Sequence, residues 1–298
     1  MNIVKYKIWF FALSLALIIP GIIALFVFGL KLGIDFSGGT LWEVKFTENQ
    51  KHIEVADFQN YLNREGLEVS AAAQTSQDSI LIRTRLTDED KINQIRQNVN
   101  KEFRQTEDLR LETVGPTISK ELTNKALLAV VLSVLAIVVY ITWAFRAVPR
   151  PTSSIAFGIC TIFALVHDVV LLVGVFAILG KYFNVEIDTL FITALLTVIG
   201  FSVHDTIVVF DRIRENLKKH SELKFESIIN NSLMETMARS LNTSLTAIFV
   251  LTALLLFGGA SIKIFVLALL IGIISGTYSS IFTAAPLLVV WHNFRRRQ

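Results

Sequence analysis

Charge and cysteine are scarce in this sequence of 298 residues: 18% of positions are charged, and there is one cysteine, Cys160. A lone cysteine excludes an internal disulfide and a cysteine-based metal site. The low charge comes with 53% hydrophobic residues, including 22 Phe. Soluble domains average roughly 45–50% apolar residues, so the composition is that of an integral membrane protein. HExxH is absent, and neither His-Asp pair, His167-Asp168 or His204-Asp205, has metalloprotease spacing. An intramembrane hydrolase is a poor fit. No Walker lysine follows Gly38-Gly39, which favours a turn into a strand over a phosphate cradle. The net charge of +3 is small and matters through its placement.

Long apolar runs fill most of the chain. The first, Ile8 to Leu30, follows Lys5 and Lys7. It exceeds a signal-peptide core of about 7–15 residues, and no A-x-A site follows it. It therefore reads as an uncleaved helix, with Pro20 as a kink site. Five more runs, near or above the roughly 20 residues a bilayer requires, cover Leu127 to Phe145, Ser154 to Leu179, Leu190 to Phe210, Leu241 to Phe257 and Ile264 to Val290. With six spans, Lys5, Lys7, Arg146, Arg150, Arg212, Arg214, Lys218, Lys219, Lys224 and Arg295 to Arg297 all fall on one side. The positive-inside rule then puts both termini in the cytoplasm and the long polar insert outside. Phe225, Ile228, Ile229 and Leu233 sit at helical spacing among polar residues, the pattern of an amphipathic cytoplasmic helix on the membrane or the bundle.

The insert opens with Gly33-Ile34-Asp35-Phe36-Ser37-Gly38-Gly39-Thr40. Trp42, Val44 and Phe46 then alternate with Leu41, Glu43 and Lys45, as in a half-buried strand. Val55, Phe58 and Leu62 share a helical stripe that Gly66 terminates. Leu67 to Ala73 and Asp78 to Arg85 read as two strands. A second helix starts with Thr87 as N-cap and acids in its first turn, and carries Ile92, Ile95, Val99 and Phe103. Leu109 to Val114 reads as the last strand. The order β-α-β-β-α-β is the split βαβ of ferredoxin-like folds. The expected organisation is a first transmembrane helix over 1–30, an extracytoplasmic α+β ferredoxin-like domain over 31–124, and a five-helix transmembrane bundle over 125–298 with an amphipathic cytoplasmic loop over 211–238.

Polar groups interrupt the spans at His167-Asp168, at Ser202 with His204-Asp205, and at Arg239, Asn242, Thr243 and Thr246. A carboxylate at the centre of a bilayer costs about 2.5–3.5 kcal/mol on insertion scales, so Asp205 needs an offsetting partner. At about 100° per residue, the last four groups form one narrow stripe. Asp205 shares its stripe with Ala194, Val198, Phe201, Ser202 and Val209. A contact between the two stripes is geometrically reasonable. It serves either a proton relay or a static ion pair. His204 lies about 100° round the helix from Asp205. His167-Asp168 fits a second relay element or an interhelical hydrogen-bond pair. Gly272, Gly276 and Ser280 form a small-xxx-small ridge suited to close helix packing.

These motifs resemble the SecD/SecF family of the bacterial Sec protein-export machinery, within the resistance-nodulation-division superfamily. The Gly33–Thr40 segment is similar to the family's opening motif. Similar too are His167-Asp168-Val169, the run Gly200 to Asn216 around His204-Asp205, and Arg239-Ser240-Leu241-Asn242-Thr243-Ser244, all in the family's order. The resemblance implies six spans, an outer domain after the first, and location in the bacterial plasma (inner) membrane. It implies pairing with SecD beside the Sec translocation channel, an unfolded preprotein as substrate, and contact with membrane lipids. No nucleic acid is implied. Protons would be the coupling ion, with no metal or organic cofactor. Asp205 matches the family's proton-carrying Asp, Arg239 and Thr243 match its proposed partners, and Asp168 lies in a family motif of less defined role. Ser202, His204, Asn242 and His167 would support the relay, and Asp35, Phe36, Ser37, Gly38 and Gly39 form the motif of the outer domain. A proton-coupled exporter of small solutes or lipids, or a non-transducing assembly scaffold, would share many of these features.

Overall fold

The computed structural model describes residues 3–46, 53–76, 78–85, 89–103, 106–146, 148–149, 151–220 and 222–296. The expected N-cap Thr87, with Asp88, and the basic residues Arg150 and Arg297 lie outside the described residues. In chain order the elements are α1 (Lys7–Phe28), α2 (Ile34–Ser37), β1 (Gly39–Phe46), α3 (Val55–Arg64), β2 (Val69–Ser76), β3 (Ser79–Thr84), α4 (Glu89–Glu102), β4 (Thr106–Val114), α5 (Pro116–Ala144), α6 (Ser154–Phe183), α7 (Thr189–Lys219), α8 (Phe225–Phe257), α9 (Lys263–Ser279) and α10 (Ala285–Arg296). A π-helical turn, Ser280–Ala284, joins the last two. Contacts divide the chain into two units, Met1–Lys31 with Leu127–Gln298, and Leu32–Ala126.

The second unit is an antiparallel sheet of order β2-β3-β1-β4 in the sequence β-α-β-β-α-β. Its core is Trp42, Val44, Phe58, Leu62, Leu67, Ile80, Ile82, Ile95 and Val99, so the inward set is the one the alternation selects. Trp42 Nε1 donates to Asp108 Oδ1 at 2.6 Å, and Arg96 pairs with the same carboxylate. Gly66, at φ 81°, ends α3, and the Leu67 N–H returns to the Leu62 carbonyl at 3.0 Å. Before β1 the chain makes the short α2 turn and then passes through Gly38 (φ 71°) and Gly39 (φ 114°). A Cβ on Gly39 would lie 2.5 Å from the Thr84 carbonyl oxygen. The Gly-Gly pair is therefore a turn made necessary by close strand approach. Arg83 braces it, donating to the Leu32 carbonyl at 2.8 Å and to Ser37 Oγ at 2.9 Å.

In the first unit, six helices are long and apolar enough to cross a membrane among the described residues: α1, α5, α6, α7, α8 and the α9–α10 run. The α6, α7 and α9–α10 helices form the centre, and α5 packs at their edge with few fully buried residues. Leu127, Leu132, Leu135, Val139 and Trp143 on α5 are exposed, as suits a lipid-facing helix. Asp188 caps α7 by accepting from the Phe191 N–H at 2.9 Å, and Ser153 caps α6. Asn184 takes the left-handed conformation (φ 56°) that reverses the chain after α6. The helices extend beyond the apolar runs. The segment 211–238 is not a separate element: α7 continues to Lys219, and α8 begins at Phe225 and runs through the fifth apolar run. The physical reason is burial and pairing along both extensions. Phe225, Ile228, Ile229 and Leu233 are buried. Asn216 bonds Ser232 Oγ at 3.0 Å, and Arg212 pairs with Glu235 across α7 and α8.

Close approach of α1 to α6 depends on two glycines. A Cβ on Gly174 would lie 2.5 Å from the Gly21 Cα, whereas one on Gly200 would meet nothing within 4 Å. Gly174→Val is therefore expected to destabilise the purified chain by about 1–3 kcal/mol and Gly200→Ala to have little effect. Thermal unfolding of both variants in detergent checks the contrast.

Candidate functional site

The site is built where α6, α7 and α9 cross. A Cβ on Gly272 would fall 2.2 Å from Val198 Cγ2, and one on Gly276 would fall 2.9 Å from Ser202 Cβ. The ridge of small residues on α9 thus lies directly on α7. This approach brings the hydroxyls of α9 within reach of its neighbours.

Asp168 lies at the crossing and is buried at 1% exposure. Its Oδ2 accepts from Ser202 Oγ at 2.5 Å and from Ser279 Oγ at 2.7 Å. Its Oδ1 accepts from Ser275 Oγ at 2.7 Å and contacts His167 Nδ1 at 3.0 Å. His167 Nε2 meets Ser14 Oγ of α1 at 3.1 Å. His167-Asp168 thus sits in an interhelical hydrogen-bond cluster. Ser280, the first residue of the π turn, donates to the Ser202 carbonyl at 3.1 Å and meets Thr206 Oγ1 at 2.8 Å. Ser244 of α8 meets Thr277 Oγ1 at 2.6 Å.

Asp205, one helical turn on from Ser202, contrasts with Asp168. It is 6% exposed, yet its Oδ2 has no hydrogen-bond partner. Ser240 of α8 faces the Asp205 carboxyl, but neither Ser240 Oγ nor Asp205 Oδ2 completes a well-formed hydrogen bond. Arg239, Asn242, Thr243 and Thr246 lie on the exposed side of α8. The expected contact between their stripe and that of Asp205 is not made within this chain. Among the described residues Arg239 forms no ion pair. The reason is rotational: α8 turns Thr236, Ser240 and Ser244 inward, which places the neighbouring Arg239 and Thr243 at the rim. His204 is exposed on α7, in line with exposed Thr193, Thr197 and Gly200. In a membrane, such a stripe of small and polar residues suits packing against another helix better than facing lipid.

Among the described residues, no group of three or more His, Cys, Asp or Glu side chains could hold a metal ion. The inward hydroxyls Ser14, Ser240, Ser244, Ser275 and Ser279 were not singled out from sequence. Ser275 and Ser279 are one helical turn apart, and that spacing beside Gly272 and Gly276 was the available signal.

Residues 92–294 match the family described as "Protein export membrane protein SecD/SecF, C-terminal", and residues 23–50 match the SecD/SecF GG motif. The chain belongs to the SecD/SecF family. It is 49% identical to the protein translocase subunit SecF of Thermobaculum terrenum, over 98% of this chain and 94% of that protein. It is 44% identical to the SecF subunit of Anaerolinea thermophila over the same shares. Among solved structures it is similar to SecDF, a translocon-associated membrane protein from Thermus thermophilus, with a TM-score of 0.85 and 32% identity. The match covers 98% of this chain and 39% of that longer one. The SecD/SecF GG motif falls on the α2 turn and on Gly38-Gly39, and the family's C-terminal region spans the crossing of α6, α7 and α9.

Two substitutions separate packing from unused polarity at this site. Gly276→Val is expected to lower stability by about 1–3 kcal/mol through its clash with Ser202. Ser240→Ala, which removes a hydroxyl that makes no hydrogen bond, is expected to stay within about 0.5 kcal/mol. Thermal unfolding of the two purified variants tests the pair.

Proposed function

We propose that this membrane subunit of Sec protein export uses the proton-motive force, together with SecD, to promote preprotein movement, and that Asp205 is the group that gains and loses the proton. The observation that carries the reading is the Asp205 carboxyl, buried in a membrane helix with Oδ2 unpartnered. Such a group costs about 2.5–3.5 kcal/mol at the bilayer centre, and intramembrane ionisable residues are functional by default. Moving one charge through the membrane potential is worth about 2.3 kcal/mol per 100 mV, enough to bias an equilibrium between arrangements of the spans.

The exposed stripes complete the reading. Thr193, Thr197, Gly200 and His204 on α7, and Arg239, Asn242 and Thr243 on α8, face out of this chain. SecD is the partner that would cover them. With that face closed, Arg239 and Thr243 could serve Asp205 in one arrangement and release it in another. The placement of basic residues favours a plasma-membrane protein with both termini in the cytoplasm, and thus an α/β unit on the outer side where exported chains emerge. Unfolded preprotein is the cargo and the proton is the coupling ion.

Asp205→Asn, assembled with SecD and the Sec channel in vesicles under an imposed proton gradient, is expected to lose the gradient-dependent part of export. ATP-driven export should remain. Arg239→Leu is expected to have the same effect with little change in the stability of the isolated chain, because its side chain is exposed there. Full gradient dependence in an assembled Asp205→Asn complex would instead identify a non-transducing scaffold.

A further inference from the structure

The two buried carboxylates of the membrane helices stand in opposite surroundings, and the difference assigns a role to Asp168. Each hydroxyl that contacts Asp168 donates to it: Ser202 from α7, and Ser275 and Ser279 from α9. On α6 itself, His167 is the titratable group beside it, at 3.0 Å. The second His167 nitrogen is engaged by Ser14 of α1, which meets Thr283 Oγ1 of the π turn at 3.3 Å. The His167 ring also lies over Tyr278, whose hydroxyl donates to the Phe10 carbonyl of α1 at 2.7 Å. Apart from His167 and Tyr278, the groups that α1, α7, α9 and the π turn present in this cluster are hydroxyls.

From Asp168 the bonded chain runs toward Asp205 and stops short of it. Ser202 is held through its side chain by Asp168. Its backbone carbonyl accepts from Thr206 at 3.0 Å and from Ser280 at 3.1 Å. The helical turn 202–206, which carries Asp205, is therefore anchored before and after that residue. Yet no hydrogen bond in the cluster reaches Asp205 Oδ2. A proton passed along these groups would end at a backbone carbonyl. A carboxylate in a membrane helix carries a cost that an apolar residue would not incur, and the three hydroxyls and His167 gathered round Asp168 offset it. A fully satisfied polar network specifies one arrangement out of many similar ones.

We propose that Asp168 is a positioning residue of the coupling site: as the common acceptor of α7 and α9 it sets the rotation of α7, and with it the burial of Asp205, and it does not carry the transported proton. The proposal rests on the reading of Asp205 given above, and its test has a readout independent of export.

Dicyclohexylcarbodiimide adds to protonated carboxyl groups in apolar surroundings, and peptide mass spectrometry locates the adduct. The full chain, assembled with SecD in lipid vesicles, would be treated across a pH series. Asp205 is expected to be modified and Asp168 to remain unmodified throughout. Asp168→Asn, Ser275→Ala and Ser279→Ala are each expected to change the rate of Asp205 modification at fixed pH by roughly three- to tenfold, the scale of coupling between residues of one network. The serine variants keep the test decisive if Asp168→Asn does not fold. Modification of Asp168 in the unsubstituted chain would overturn the proposal in favour of a second proton carrier. An unchanged Asp205 rate in both serine variants would overturn it in favour of passive packing. Loss of the Asp205 reading is detected separately, by gradient-dependent export that survives Asp205→Asn, and does not alter these labelling outcomes.

Discussion

The contact on which the membrane unit depends is the flat approach of α9 to α7 at Gly272 and Gly276. A side chain at either position would strike Val198 or Ser202. Only at that separation can Ser275 and Ser279 reach across to Asp168 while Ser280 reaches the Ser202 carbonyl. The apolar core and the polar cluster are thus one feature: absent side chains on one helix admit hydroxyls to the charge on another. Lipid contributes no hydrophobic drive between helices, so van der Waals fit and interhelical hydrogen bonds must do the holding.

That geometry separates two carboxylates that look alike in sequence. Both follow a histidine, and both sit inside an apolar helix. Asp168 points to the side where three helices converge and meets donors on both oxygens. Asp205 points toward α8 near the rim, where Ser240 is turned in and Arg239 is turned out. One acid is completed within the chain. The other is left for a surface that, on the proposed reading, SecD closes.

Much of the architecture was legible from pattern alone. Six apolar runs became six long helices, and the alternation of Trp42, Val44 and Phe46 selected the face that packs. Where the reading differed, side-chain pairing was the cause. Segment 211–238 reads as amphipathic because its apolar stripe is narrow, but Asn216, Arg212 and Glu235 tie the two helices together and keep both continuous. The facing of α8 was not legible either. Arg239, Asn242 and Thr243 form the more conspicuous polar stripe, yet Ser240 and Ser244 face inward, since a small hydroxyl fits a tight interface that a guanidinium does not. Ser275 and Ser279 escaped notice because serines in an apolar helix bond their own backbone as readily as a neighbour.

The π turn at Ser280–Ala284 has a consequence for how this protein can vary. It accommodates one residue beyond the regular α-helical count. That surplus lets the adjacent Ser279 and Ser280 both face inward, one toward Asp168 and the other toward Thr206. It also sets which side of α10 is buried, through Ala285, Leu288 and Val289. Excising a single residue there would leave length, hydropathy and membrane topology almost untouched. It would nonetheless close the wide turn to a regular α-helical one, so that Ser279 and Ser280 could no longer both keep their inward bonds. Relatives that differ by one position in this short stretch are therefore to be aligned by which hydroxyls they turn inward, and not by how many residues they count.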